Sequence, residues 1–165
     1  MKDRSIAILV ISMLVLTMMA VMLVVFIDKA HDDFHDSITV TKEGVTEKTL
    51  TVSDLMLNPT EKRTYEVSMT CPASGTFDVF LDYTETVNGG LKHFVNVEIY
   101  GNEELIYDGN LLELLDTDKI VEFQTELHAT NPTVIKFVYE MPYETGNEAQ
   151  GTYADFDIDV TIKKY

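Results

Sequence analysis

Thiols, prolines and cations are scarce in this chain, and each scarcity excludes something. Cys71 is the one cysteine, so no intrachain disulfide can form and no zinc framework can be built from thiolates. As a small residue just before Pro72 it reads as a half-buried strand end. Lys and Arg number 12 against 28 Asp and Glu, a formal net charge of -16. That balance rules against nucleic acid as a partner, since binding it needs a basic face to displace counterions. The four prolines, Pro59, Pro72, Pro132 and Pro142, each fall at the margin of an alternating run, where a missing N–H does little harm. G-x-S-x-G, Walker and dinucleotide motifs are missing, as are internal repeats and low-complexity tracts. Helical periodicity is rare after residue 27. No helix-length segment separates successive strands, which excludes a parallel α/β sheet.

The chain does have a charge-free apolar run, SIAILVISMLVLTMMAVMLVVFI, over residues 5–27. At ~1.5 Å rise per residue it spans about 35 Å, enough for a hydrocarbon core of ~30 Å. Lys2 and Arg4 precede it; Asp28, Lys29, Asp32 and Asp33 follow. The bias places residues 1–4 in the cytoplasm and everything after Ile27 outside the membrane. A secretory signal has an apolar core of only ~7–15 residues and a small-x-small cleavage site. Here Ala20 and Ala30 have Met18 and Asp28 two residues upstream. A retained signal anchor is therefore expected; cleavage would instead release a secreted protein. Without residues 1–29 the remainder is more acidic than the whole. Self-repulsion keeps such a domain soluble and gives it no electrostatic pull toward anionic lipid, so its expected bilayer contact is the helix alone.

Beyond residue 36 a two-residue alternation takes over. It runs through SITVT, EKTLTVS, RTYEVSMT, GTFDVFLDYTET, KHFVNVEIYG, EELIYDG, KIVEFQTEL, TVIKFVYEM and TYADFDIDVTIK. In the fourth, Phe77, Val79, Leu81 and Tyr83 share one face. In the last, Phe156, Ile158, Val160 and Ile162 oppose Asp155, Asp157 and Asp159. NGG at 88–90, DG at 108–109 and TGN at 145–147 offer positive-φ turns, and NLLELLD at 110–116 reads as the one helical turn. About eight short strands, most with one apolar face, predict an antiparallel β-sandwich over residues 37–165.

One constellation invites a catalytic reading. In AHDDFHD, His31 and His35 stand four apart with Asp32 beside the first. In the similar H-E-x-x-H zinc helix, two imidazoles on one face hold the metal and a glutamate activates water. Asp shortens that reach, no third ligand is evident, and the segment adjoins the membrane exit. Residues 28–36 are therefore read as an acidic stalk that continues the anchor helix, with adventitious metal as the lesser alternative. The aspartates at 155, 157 and 159 lie ~6.5–7 Å apart, too far to share one calcium without loop carbonyls. They read as a solvated face that discourages edge pairing. His93 and His128 have no evident serine or cysteine partner. Neither a cofactor nor enzymatic activity is expected.

Two stretches carry a resemblance. GNEAQGTYADFDIDVTIKK, with Asn147, Gln150 and Gly151 in its turn and Phe156, Ile158 and Val160 on its strand, resembles the C-terminal signature of the TasA/camelysin family of exported biofilm-matrix and cell-surface proteins. SDLMLNPTEKRTYEVSMT, through Leu55, Leu57, Pro59 and Tyr65, is similar to that family's N-terminal hairpin. The resemblance implies a jelly-roll-like sandwich. It also implies, as in some members, fibres in which an N-terminal strand of one subunit completes the sheet of the next. Ser37, Ile38 and Val40, within SITVTK at 37–42, become the candidate mobile strand, and deleting 37–42 should leave monomers. Self-association, or association with related surface subunits, is the expected partnership. Camelysin-like members are labelled metallopeptidases, which keeps a zinc peptidase on His31 and His35 as a rival; a monomeric anchored binding module is another. A retained anchor departs from the family's cleaved signal, and a tethered copy would cap or root a fibre. Asn147 and Gln150 are expected to bond backbone groups at the corner before the last strand, which should pair near the first strands.

Overall fold

The computed structural model describes residues 34–117 and 119–165. The chain divides into Met1–Asp32 and Asp33–Tyr165, and the architecture below belongs to the second unit. The apolar span 5–27, residues 1–4, His31 and Asp32 lie outside the described residues. Among the described residues no helix is long and apolar enough to cross a membrane.

Alternating side chains build two facing sheets. In chain order the strands are β1 (Phe34–Thr39), β2 (Val45–Leu55), β3 (Lys62–Thr70), β4 (Gly75–Val87), β5 (Asn96–Gly101) and β6 (Glu104–Asn110). A short helix α1 (Leu111–Asp116) follows, then β7 (Val121–Leu127), β8 (Thr133–Glu140) and β9 (Ala154–Lys164). One sheet has the order β1-β3-β8-β5-β6 and the other β2-β9-β4-β7. Every connection except the β5–β6 hairpin passes from one sheet to the other. The fold is an all-β sandwich, as its alternation foretells.

Between the sheets, Phe77, Val79, Leu81 and Tyr83 of β4 meet Ile135, Phe137 and Tyr139 of β8, with Phe156, Ile158, Val160 and Ile162 of β9 beside them, all buried. Asn110 caps α1, its Oδ1 accepting from Glu113 N at 2.8 Å, and satisfies one of the orphan donors of the first turn. Leu111 and Leu114 are buried, so this helix closes one stretch of the sandwich as its leucines suggest.

The structure departs from the sequence reading at several points, among them TGN at 145–147, whose Gly146 takes φ -79 and not a positive value. Three more concern the strands. First, the sandwich is not wholly antiparallel: β1 runs parallel to β3, from Phe34↔Tyr65 to Thr39↔Thr70. Second, DG at 108–109 is no turn but lies inside β6. Gly109 is needed there for close approach, since a Cβ would stand 2.2 Å from the Tyr107 hydroxyl. The chain instead reverses at Asn102 and Glu103, at φ 49 and 71. Third, β9 is not an outer strand; it sits between β2 and β4. Its aspartates therefore guard no edge. Asp155 Oδ1 accepts from Asp54 N at 2.7 Å, Asp159 accepts from Thr49 Oγ1, and Asp157 Oδ1 is buried with no hydrogen-bond partner among the described residues.

Candidate functional site

The lateral edge where β1 meets β2 gathers the strand proposed to move. In HDSITV, alternate residues turn inward: Asp36 is half-buried, while Ile38 and Val40 are 3% and 1% exposed. Their burial in the common core is what holds an otherwise short strand in place. At roughly 1.5–3 kcal/mol for a fully buried aliphatic side chain, these two add to what the main-chain ladder contributes. The ladder extends one residue past the strand, with Val40 N donating to Thr70 O at 2.7 Å. Among the described residues no strand neighbours β1 on its other side.

A latch spans the two sheets at this edge. Lys48 of β2 donates to Asp36 Oδ1 at 2.5 Å and to Ser37 O at 2.9 Å. The Lys48 ammonium is the main cause holding the Asp36 carboxyl below its ordinary 3.8. A carboxyl depressed in the folded state contributes stability above its unfolded value and loses it as pH falls through the folded one. Acidification below about pH 4 is thus expected to loosen β1. Protection of the Val40 amide from hydrogen exchange, relative to its intrinsic rate at each pH, should fall through that range, and Lys48→Ala should remove the acid step by loosening β1 already at neutral pH.

The stalk expectation needs correction at its C-terminal end. Residues 34–36 are strand, not helix, because Asp36 continues the inward register of Ile38 and Val40. His35 consequently faces outward from β1, its Nδ1 3.7 Å from Glu66 Oε2. Among the described residues no group of three or more His, Cys, Asp or Glu side chains could hold a metal. His128, read as lacking a serine, has one: Nδ1 lies 3.2 Å from Ser74 Oγ, with Nε2 3.8 Å from Glu126 Oε2. Ser74 and Glu126 are exposed and His128 is half-buried, and water competes for each contact, so the trio lacks the sheltered setting that activates a nucleophile. Cys71 is fully buried rather than half-buried.

The two stretches that carry the family resemblance come together. A cleft of ≈ 240 Å³ lies between residues 57–59 and 146–151, with Met141 also lining it. Thr60 N donates to Met141 O at 2.8 Å, and Met141 N to Glu61 O at 3.1 Å. The corner itself is held by backbone and by Thr152, not by the amide side chains expected to do so. Gln150 N donates to Asn147 O at 3.1 Å, Thr152 Oγ1 to Ala149 O at 2.7 Å, and Gly151 takes φ 76. Among the described residues the Asn147 and Gln150 side chains bond nothing. Phe156, Ile158 and Val160 enter the core, as expected. Lys48 and Asp36 were missed, although the D-x-I-x-V alternation could have revealed Asp36 as a strand residue.

No protein-family model and no curated protein matches the chain. Among solved structures it is similar to PliG of Aeromonas hydrophila, a periplasmic inhibitor of g-type lysozyme, at 15% identity and TM-score 0.39, covering 79% of this chain and 99% of that one. It is similar to a β-glucosidase from Paenibacillus barengoltzii at 13% identity and TM-score 0.35, covering 79% of this chain; it spans only 11% of that enzyme. A third likeness, at 15% identity and TM-score 0.34, is to the CBM36-1 domain of a xylanase from the hindgut metagenome of Trinervitermes trinervoides, covering 74% and 98%. Scores this low carry no argument about function.

Proposed function

We propose that this chain is a non-enzymatic surface or matrix protein of the TasA/camelysin type, held to the membrane by residues 5–27 with its sandwich outside the cell. It associates by strand addition with further copies or with related surface subunits. The strand orders β2-β9-β4-β7 and β3-β8-β5-β6 support reading the eight main strands as a jelly roll, to which β1 is an added edge. One observation carries the proposal: among the described residues β1 is a six-residue strand bonded on one side only, in the slightly weaker parallel sense. Its departure would uncover both the β3 edge and the slot filled by Ile38 and Val40. That is the geometry a donated strand requires, with main-chain bonds for affinity and alternate side-chain pockets for specificity.

The test is deletion of Phe34–Thr39 from the full chain in detergent. The shortened protein is expected to capture a synthetic peptide of residues 34–42, which the intact protein refuses while its slot is full. It should also lose the intact chain's concentration-dependent association. A shortened chain that ignores the peptide, or that associates as before, would overturn the proposal.

A further inference from the structure

The outer face of the β1-containing sheet carries an open basin of ≈ 770 Å³ that strand addition does not use; ligand sites commonly fall within ~300–1,000 Å³. A row crossing three strands forms its floor: Glu66 of β3 opposes Lys136 of β8, which opposes Tyr100 of β5. The Tyr100 hydroxyl donates to Glu98 Oε2 at 2.7 Å, which fixes the ring. Lys136 Nζ lies 5.8 Å from the ring centroid, far enough to turn toward a bound group. The rim is the β5–β6 hairpin tip on one side and Asn131 with Pro132 on the other.

The hairpin tip is stapled down. Asn102 N donates to Val134 O at 3.0 Å, and Asn102 Oδ1 accepts from Val134 N at 3.3 Å. Glu103 follows at φ 71, in a left-handed conformation where such a two-residue turn ordinarily takes glycine. Its side chain makes no hydrogen bond or ion pair among the described residues, and neither does that of Asn131. Lys136 makes only its contact with Tyr100. Backbone strain is therefore held at a residue whose carboxylate does nothing for the fold, which is the pattern of a functional position.

These groups share a chemistry. A fixed aromatic plate is ringed by unspent acceptors on Glu103 and Asn131 and unspent donors on Lys136 and Asn131. A phosphate or an acidic polymer would meet two carboxylates and a chain of formal charge -16. A cationic peptide would meet Lys136 at the centre. A pyranose fits both halves of the site: one flat C–H face for the ring, and hydroxyls that donate and accept around its edge. We propose that this basin binds an uncharged saccharide chain, stacked on Tyr100 and hydrogen-bonded by Glu103, Asn131 and Lys136.

The full chain, in a sugar-free detergent, is titrated with hexamers of β-1,4-linked glucose and of β-1,4-linked N-acetylglucosamine, and separately with a lysine-rich peptide. At least one hexamer should bind saturably, and Tyr100→Ala should weaken it about tenfold or more. Glu103→Gly distinguishes a ligand role from a structural one. It should raise the melting temperature by about 3 °C by relieving the left-handed strain, yet weaken the hexamer at least about threefold through the lost carboxylate. Binding of neither hexamer, binding of the peptide in their place, or a stabilised Glu103→Gly chain with unchanged saccharide affinity would each overturn the assignment.

Discussion

Replacing Phe156 by alanine should lower the unfolding free energy by about 3–5 kcal/mol, measured as a fall in the denaturant midpoint. Phe156 is fully buried near the start of β9, an inner strand of its sheet, between Val52 of β2 and Glu85 of β4. Its ring stacks on Tyr83 at 5.8 Å and tilts against Tyr139 at 5.6 Å. Those two tyrosines face each other from opposite sheets, hydroxyl to hydroxyl at 3.4 Å. Removing the ring therefore leaves a cavity walled partly by polar groups, where neighbouring strands on both sides prevent collapse. For a domain whose whole stability is ~5–15 kcal/mol, that is a large share. An unchanged midpoint would mean that β9 does not seal the interior.

The second large effect is expected at Lys92, whose side chain is only 7% exposed. It lies in the 3-10 turn Leu91–His93 and reaches Glu85 of β4 at 2.7 Å and Asp116, the last residue of α1, at 2.8 Å. One ammonium thus ties three elements together and offsets a carboxylate at the unfavourable end of a helix. Lys92→Ala would leave Glu85, 23% exposed, without its cation, while Asp116, 47% exposed, turns to water, and should cost about 1–2 kcal/mol. Adding Glu85→Gln and Asp116→Asn should restore much of the loss, which separates stranded charge from lost packing. The bonds from Asp116 and Glu85 hold the lysine above its ordinary 10.5 against the opposing effect of burial. A raised pKa of this kind contributes fully below the ordinary value and is lost only as pH climbs through the folded one. The wild type should therefore show an alkaline destabilisation that the triple variant lacks.

Period-two burial was readable wherever one face of a strand is dry. GTFDVFLDYTET and DFDIDV name their inward residues by alternation alone, and Asn110 before two leucines announces the cap of α1. Parallel pairing of β1 was not readable, because direction depends on where a strand docks and not on its own pattern. The same holds for the place of β9: an acidic outer face looks like edge protection until the partners on both sides are known. Asn102 and Glu103 concealed a turn, since Glu rarely accepts φ 71, whereas the glycine of DG was required by the ring of Tyr107. Of the candidate edge, Ile38 and Val40 were legible as apolar strand residues. The latch was not, since Lys48 and Asp36 stand twelve positions apart and meet only across the gap between sheets. Likewise the pairing of residues 57–59 with 146–151 is a product of topology.

The most direct test of strand exchange locks β1 where it lies. Ser37 and Ser68 are register partners on the outer side of β1 and β3, at a spacing suited to a disulfide, and the native Cys71 is too buried to interfere. Sedimentation of the full Ser37→Cys, Ser68→Cys chain in detergent should show monomers at every concentration when oxidised. It should show growth with concentration after reduction. Equal growth in both states, or growth in neither, would contradict the account.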